Sequence, residues 1–250
     1  MENLALRQQV AVFKQSVKRP KLRPRDRVFW QWMSILWADW RSALLIVKPE
    51  TVVRWHRQGF RLYWRTLVEN HLPDLVGIDF FTIPTATFRV LYCFIVLRHD
   101  RRQIVHFNAT MHPHAQWTAQ QIVEAFPFDE APRYMIRDRD GIYGDHFRKR
   151  VKSMGIEEVI SAPQAPWQNP YCERVIGSIR RECLNHMIVL NERHLHRILT
   201  GYLDYYHNSR PHLSLDRNSP IPRHVEPPSE GHVVAIPQVG GLHHWYARAA

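Results

Sequence analysis

Cysteine is scarce in this sequence, which holds three in 250 residues. Cys93, Cys172 and Cys183 form no closely spaced pair, and their odd number leaves one without a partner. This pattern supports neither a disulfide framework nor a cysteine-based zinc site. The sixteen histidines add no consistent ligand spacing. The composition therefore indicates a reducing compartment.

Long apolar segments are also lacking. The longest apolar run, from Val90 to Leu97, is too short to cross a bilayer, which takes about 20 residues. The first residues do not combine a charged start, an apolar middle and a small-residue cleavage site, as a signal peptide does. We therefore expect a cytoplasmic protein without a membrane partner.

Acidic residues are sparse in the first part of the chain. Residues 1–70 hold 14 of the 34 lysines and arginines but only 5 of the 23 acids, so that +9 of the net charge of +11 lies there. Clustered cations favour nucleic acid, because binding releases counterions from the phosphates. We interpret residues 1–65 as a basic, helical DNA-binding region. The alternative is an unstructured arm that serves solubility.

Two helices are predicted within this basic region. The first runs from Asp26 to about Trp40, and the second from Pro49 to Gln58, where Gly59 would end it. The second helix resembles the recognition helix of a helix-turn-helix, with Arg54 and Arg57 available to DNA. The alternative is a small packing helix whose arginines are solvated.

From residue 74 onward, apolar runs and turn signals alternate as in a mixed α/β domain. Strands are predicted at 74–82, 88–97, 103–108, 133–137 and 157–160, and helices at 117–126, at 146–154, from 171, and at 195–207. The first three strands follow one another closely and should form a meander.

Three acidic residues interrupt or end these elements. Asp79 lies inside the first apolar strand, Asp138 directly follows the fourth, and Glu173 opens the helix after loop 161–170. A charge buried in a strand is costly unless a partner or a cation compensates it, and Mg²⁺ prefers oxygen ligands. A shared divalent metal is the simplest explanation. Asp140 competes with Asp138, but it precedes a glycine and suits a turn, so we prefer Asp138.

Three motifs make the chain resemble the DDE transposases and integrases of insertion sequences, which have a retroviral-integrase-like catalytic core. The motifs are IRDRDGIYG at 136–144, PWQNPYCER at 166–174 and YYHNSRPH at 205–212. The resemblance covers residues 71–223 and implies an α/β, RNase H-like fold, with a mixed five-stranded sheet and flanking helices. In that fold the first and fourth strands are neighbours. Residues 224–250 would form a C-terminal tail.

The resemblance implies a metal-dependent active site. Asp79, Asp138 and Glu173 would be catalytic residues and ligands of two Mg²⁺ ions, for which Mn²⁺ should substitute. Asp140 would be a candidate for a residue that orients these ligands without binding the metal itself. The implied reaction is cleavage of a DNA strand at a transposon end, followed by transfer of the freed 3′ end to target DNA during recombination and integration.

The resemblance also implies contacts with DNA. Gln168 and Asn169 match a loop that positions the DNA end, and Arg180 matches a basic residue that touches it. The alternative for Arg180 is a solvated helix face. Double-stranded DNA, both transposon ends and target, would be the partner of a homo-oligomer located on the bacterial nucleoid.

One departure from the family pattern concerns the junction at Arg65-Thr66. Many relatives carry a further helix-turn-helix-like stretch before the first catalytic strand, and this chain has no room for it. Two alternatives to an active transposase therefore stay open. One is a DNA-binding remnant of a mobile element without activity, and the other is an RNase H-like nuclease.

Overall fold

The computed structural model describes residues 1–13, 22–44, 47–127, 130–162 and 168–249, except for the side chains of residues 56, 57, 60–63 and 67. The side chain of Arg57 and the Pro166-Trp167 part of the second motif therefore lie outside the described residues. The chain divides into two compact units, Met1–Asn70 and His71–Ala250. In the described part, no helix is long and apolar enough to cross a membrane.

The first unit consists of three helices, α1 (Glu2–Phe13), α2 (Pro24–Leu36) and α3 (Pro49–Asn70). Helix α2 begins at Pro24 because the Asp26 carboxylate accepts a hydrogen bond from the backbone N–H of Arg23 at 2.8 Å, which caps the first turn. The core of the unit is built from Ala5, Trp30, Met33, Trp40 and Val52.

The helical pattern of this unit differs from the prediction. Helix α3 continues through Gly59 to Asn70, and Val68 is buried in its added turns. Burying a side chain of that size contributes about 1.5–3 kcal/mol, which exceeds the cost of about 1 kcal/mol for a glycine inside a helix. Residues 37–48 connect α2 to α3, a longer connection than the turn of a helix-turn-helix. Helix α1 was not predicted.

The second unit is built on a mixed sheet of five strands. The strands are β1 (Leu75–Pro84), β2 (Val90–Arg98), β3 (Gln103–Thr110), β4 (Tyr134–Arg137) and β5 (Glu157–Ile160). Their order is β3-β2-β1-β4-β5; β1 is antiparallel to β2 and parallel to β4. The predicted meander and the neighbouring positions of the first and fourth strands are confirmed.

Helices cover both faces of this sheet. On one face lie α4 (Ala115–Ala125) and α5 (Asp145–Ser153), and on the other α6 (Pro170–Glu182) and α7 (Glu192–Asn208). Side chains alternate between faces along a strand, so Phe81 and Ile83 of β1 pack against α6 and α7 while Ile78 packs against α4 and α5. Asp79 and Gly77 therefore belong to the α6 face.

The C-terminal region forms a hairpin of β6 (His232–Gln238) and β7 (His243–Ala249) within the second unit. The sequence predicted only a tail at 224–250, although residues 233–236 form a short apolar run, and most residues of the two strands are exposed. The hairpin is held by His243, whose ring stacks on Tyr205 with centroids 4.5 Å apart and whose Nε2 lies 2.8 Å from the carbonyl oxygen of Glu182.

Candidate active site

The position of Asp79 follows from the unequal lengths of the central strands. Strand β4 pairs with β1 only as far as Gly77 and Ile136, whereas β1 and β2 remain paired to Pro84. The sheet therefore has a step beside Asp79, and the chain leaving β4 turns at this step. Because β1 and β4 are parallel, the strand that carries Asp79 and the end of β4 point to the same side.

Burial raises the pKa of Asp79 from its ordinary 3.8 to about 7. The backbone N–H of Phe80 donates a hydrogen bond to Oδ1 of Asp79 at 2.8 Å, and this bond lowers the pKa of Asp79. The negative charges of Asp138, Glu173 and Asp140, in decreasing order, also contribute to this raised value. Three carboxylates from two other parts of the fold thus act electrostatically on Asp79.

The turn after β4 contains both aspartates that competed in the sequence. The Asp138 carboxylate accepts a hydrogen bond from the N–H of Asp140 at 3.1 Å. The Asp140 carboxylate accepts one from Ile142 at 3.0 Å, and its carbonyl accepts one from Tyr143 at 3.2 Å. Asp140 therefore forms a turn, as its sequence context predicted.

Glu173 lies in the first turn of α6 and is exposed. Pro170 occupies the first turn, where its missing N–H costs nothing, and the N–H of Glu173 bonds to the carbonyl of Asn169 at 3.3 Å. The helix thus projects a carboxylate from its N-terminal end, where the helix dipole stabilises negative charge.

A cleft of about 460 Å³ joins these elements. Asp79, Asp140, Glu173 and Arg180 contribute its polar lining, together with Phe80, Phe81, Thr82, Tyr92, Ile142, Ile176 and Gly177. Asp138 is outside this lining, although its charge acts on Asp79 more strongly than that of Asp140. Both aspartates of the turn therefore remain candidates for the second acidic position.

The carboxylates are near one another but do not form a ready-made metal cage. Among the described residues, no three His, Cys, Asp or Glu side chains stand close enough together to hold an ion without adjustment. The donor set nevertheless suits a hard cation, because it consists of carboxylate oxygens. Burial and the nearby negative charges raise the pKa of Asp79, and a bound cation would act in the opposite direction.

Arg180 provides positive charge in the cleft. Its Nη2 donates a hydrogen bond to the carbonyl of Thr82 at 3.3 Å, and its guanidinium lies 5.8 Å from the centre of the Phe81 ring. The side chain is exposed and lies across the gap between α6 and β1. In the first unit, Arg54 is exposed on α3.

Gln168 and Asn169 are both buried. The Gln168 amide oxygen accepts a hydrogen bond from the backbone N–H of Ala162, and the Asn169 amide nitrogen donates one to the carbonyl of Ile78 at 3.1 Å. Sequence reasoning placed these two residues at the DNA end, whereas their side chains bond to the protein's own backbone. Polar residues in a loop gave no signal of this burial.

The order of the strands and the flanking helices define the fold class. A mixed five-stranded sheet in the order observed, with helices on both faces, is the RNase H-like fold of integrases and transposases. Residues 154–220, which include Glu173 and Arg180, match the family model described as "Integrase core domain". This segment is therefore similar to an integrase core domain.

The chain is also similar to a protein of an insertion element. The chain is 26% identical over 160 residues to the insertion element IS476 uncharacterized 39.2 kDa protein of Xanthomonas euvesicatoria. That match covers 62% of this chain and 45% of the relative, so the chain spans less than half of the relative's length.

Two solved structures share the fold. One is a chain of the simian T-cell lymphotropic virus intasome in complex with PP2A regulatory subunit B56 gamma, with a TM-score of 0.50 and 12% identity over 70% of this chain and 67% of that one. The other is the Mos1 transposase catalytic domain, solved with raltegravir and Mg, with a TM-score of 0.51 and 12% identity. That match covers 59% of this chain and 80% of the Mos1 chain.

Proposed function

We propose that this chain is a DDE-type polynucleotidyl transferase, a transposase or integrase that cuts DNA strands and joins the freed 3′ end to target DNA. The observation that carries the proposal is the position of Asp79. Its carboxylate lies at the step in the sheet, within electrostatic reach of Asp138, Asp140 and Glu173, at a cleft open to solvent. The match of residues 154–220 to the integrase core supports the same reaction.

Asp79, Glu173 and one aspartate of the β4–α5 turn would hold Mg²⁺, with Asp138 as our first choice for the third ligand. A bound pair of Mg²⁺ ions would supply charge stabilisation for the attacking and leaving oxygens of the phosphodiester. Mn²⁺ should replace Mg²⁺, because both cations accept carboxylate ligands. The Mg present with the Mos1 catalytic domain supports this choice of metal.

Asp79 couples proton release to metal binding. With its pKa at about 7, roughly half of these carboxyls carry a proton at neutral pH, and metal ligands must be deprotonated. Burial, with a smaller contribution from the neighbouring carboxylates, favours the protonated form of Asp79. Binding of a cation by Asp79 would therefore be accompanied by release of its proton.

DNA would be held by the basic side chains. Arg180 lies in the cleft beside Asp79 and Glu173, where it can pair with a phosphate next to the cleavage point. The first unit carries most of the net positive charge, and Arg54 is exposed on α3. Because Gln168 and Asn169 are turned into the protein, we assign DNA contact to the arginines before these amides.

A homo-oligomer on DNA follows from the proposed reaction. Joining two ends of a mobile element to one target requires that both ends be held together, and one active site serves one strand at a time. The simian viral structure that shares the fold belongs to an intasome. We extend this assembly to the present chain as part of the proposal.

The test is nicking of supercoiled plasmid at a low salt concentration of about 50 mM, where phosphate contacts are strong. The wild-type chain should nick with Mn²⁺ or Mg²⁺ and be inactive with a chelator. Asp79→Asn and Glu173→Gln should each lose at least about a hundredfold in rate, because a direct ligand matters more than the supporting residues that cost about 10–100-fold.

The matched control is Asp145→Asn, since Asp145 is an exposed carboxylate on α5 outside the cleft. It should nick at the wild-type rate. DNA binding without nicking by the wild type would favour an inactive remnant of a mobile element. Cleavage confined to RNA in an RNA–DNA hybrid would instead favour a nuclease.

A further inference from the structure

We propose that Asn169 is a positioning residue that fixes Glu173 relative to Asp79, and that Gly77 is present to let it do so. The inference rests on the proposed function, in which these two carboxylates share metal. It concerns the contact between the start of α6 and the middle of β1. Neither Asn169 nor Gly77 would touch metal or DNA.

Asn169 links the backbones on either side of the cleft. Its amide nitrogen donates to the carbonyl of Ile78, the residue directly before Asp79, at 3.1 Å. Its own carbonyl accepts the hydrogen bond from the N–H of Glu173 at 3.3 Å. One buried residue thus connects the strand that carries Asp79 to the helical turn that carries Glu173.

Gly77 makes the close approach possible. A Cβ atom at this position would lie 2.7 Å from Asn169 Oδ1, from Cys172 Sγ and from His99 Nε2. Real Cβ atoms essentially never show contacts this short, so any side chain here would push α6 away from the strand. Because Gly77 lies on the α6 face, two residues before Asp79, this displacement would move Glu173 away from Asp79.

The first turn of α6 packs against an imidazole ring and a guanidinium group. His99 is fully buried, and its ring meets the edge of Tyr171 with centroids 4.9 Å apart. The guanidinium of Arg102 lies 3.5 Å from the centre of the same tyrosine ring. With Tyr171 and Cys172 packed in this way, the donor of Asn169 is the polar link to β1 at the first turn of α6, while Arg180 makes a second link, to Thr82, in the last turn.

The register between α6 and β1 affects metal binding because Mg²⁺ requires near-ideal octahedral geometry. Ligands that are displaced slightly lose affinity, and the residues that orient them are worth about 10–100-fold in metal binding. The role of Asn169 therefore differs from general stabilisation. Its loss should weaken metal binding more than it weakens the fold.

The variant that tests this is Asn169→Leu, which keeps the approximate shape and removes the donor without adding charge. Asn108→Leu is the matched control, because the Asn108 amide also donates one hydrogen bond, to Gln121 at 2.8 Å, on the sheet face away from α6. Mn²⁺ binding is measured by electron paramagnetic resonance of the free ion, thermal unfolding by circular dichroism, and amide hydrogen exchange along α6.

We expect Asn169→Leu to bind Mn²⁺ at least about tenfold more weakly than the wild type. Amide exchange should become faster at 170–175 and stay unchanged in α4. Asn108→Leu should lower the melting temperature by a similar amount and leave Mn²⁺ binding intact. Equal Mn²⁺ affinity in Asn169→Leu and the wild type, with only a lower melting temperature, would overturn the inference.

Asn169→Asp serves as a second variant if the leucine variant does not fold. Its added negative charge alone would strengthen cation binding, so weaker Mn²⁺ binding would come from lost position. Absence of Mn²⁺ binding in the wild type would refute the proposed function instead. Hydrogen exchange would then decide the positioning role by itself, with faster exchange at 170–175 supporting it and unchanged exchange refuting it.

Discussion

Arg210 and Glu182 form a bidentate ion pair that fastens the segment after α7 to the last turn of α6. Nε of Arg210 lies 2.7 Å from Oε2 of Glu182, and Nη2 lies 2.6 Å from Oε1. The hydroxyl of Tyr202 donates to the same carboxylate at 2.9 Å. The third sequence motif therefore joins α6, which carries Glu173, to the helix that follows it.

Arg210→Lys should destabilise the protein by about 1–3 kcal/mol, because lysine cannot reproduce the two parallel hydrogen bonds to the carboxylate. The measurement is the free energy of unfolding in urea. Arg148→Ala is the control, since Arg148 is mostly exposed and 3.5 Å from Asp145, and it should cost less than about 0.5 kcal/mol. Equal losses for the two variants would contradict the prediction.

Mild acid should weaken the fold. Burial lowers the pKa of His99 to about 3 and that of His207 to about 4, from an ordinary 6.5. Below pH 6.5 the unfolded chain takes up protons that the folded chain refuses, so the free energy of unfolding falls as the pH drops from about 6.5 toward 4. Urea midpoints at several pH values in this window measure the effect.

His207→Gln tests which group is responsible for the acid effect. The backbone N–H of Ile104 donates to Nε2 of His207 at 3.0 Å, an acceptor role that a glutamine oxygen can take over without titrating. The variant should show a shallower decline in stability with acid. His146→Gln, at an exposed position, should follow the wild-type curve. An unchanged slope in His207→Gln would remove this residue from the explanation.

Much of the second unit could be predicted from the sequence, because its strands are short apolar runs with clear turns between them. The turn at Asp140 follows from its sequence context, the pairing of the first and fourth strands was implied by the family resemblance, and the face of the sheet that carries Asp79 was not predicted. The C-terminal hairpin was missed, because the apolar run at residues 233–236 is too short for its period to identify a strand and both strands are largely exposed. In the first unit, burial of Val68 outweighed the stop signal at Gly59.

The orientation of the polar loop residues was also beyond the sequence. Gln168 and Asn169 lie in a loop with Pro170, a context that favours the surface, yet both are buried and bonded to backbone. The approach of α6 to β1 depends on the missing side chain of Gly77, and a glycine inside an apolar strand has several explanations. Only the packing of α6 against β1 in the structure shows that Gly77 is needed for close approach.

Two glycine-to-alanine substitutions should change the free energy of unfolding in opposite directions, one through close packing and the other through helix propensity. Gly77→Ala should destabilise by about 1–3 kcal/mol, because its Cβ would overlap with three buried side chains. Gly201→Ala should stabilise by about 0.5–1 kcal/mol, since nothing lies within 4 Å of a Cβ there and the residue is inside α7. Urea unfolding measures both, and similar values for the two variants would contradict the packing argument.

Asp138 and Asp140 should differ sharply in their effect on catalysis. Asp138 acts more strongly on Asp79, whereas the Asp140 carboxylate is engaged in the turn by the N–H of Ile142. Asp138→Asn should reduce metal-dependent nicking at least about a hundredfold, as expected for a direct ligand. Asp140→Asn keeps an oxygen acceptor for Ile142 and should lose no more than about tenfold. The reverse ranking would make Asp140, which lines the cleft, the ligand and Asp138 the residue that supports it.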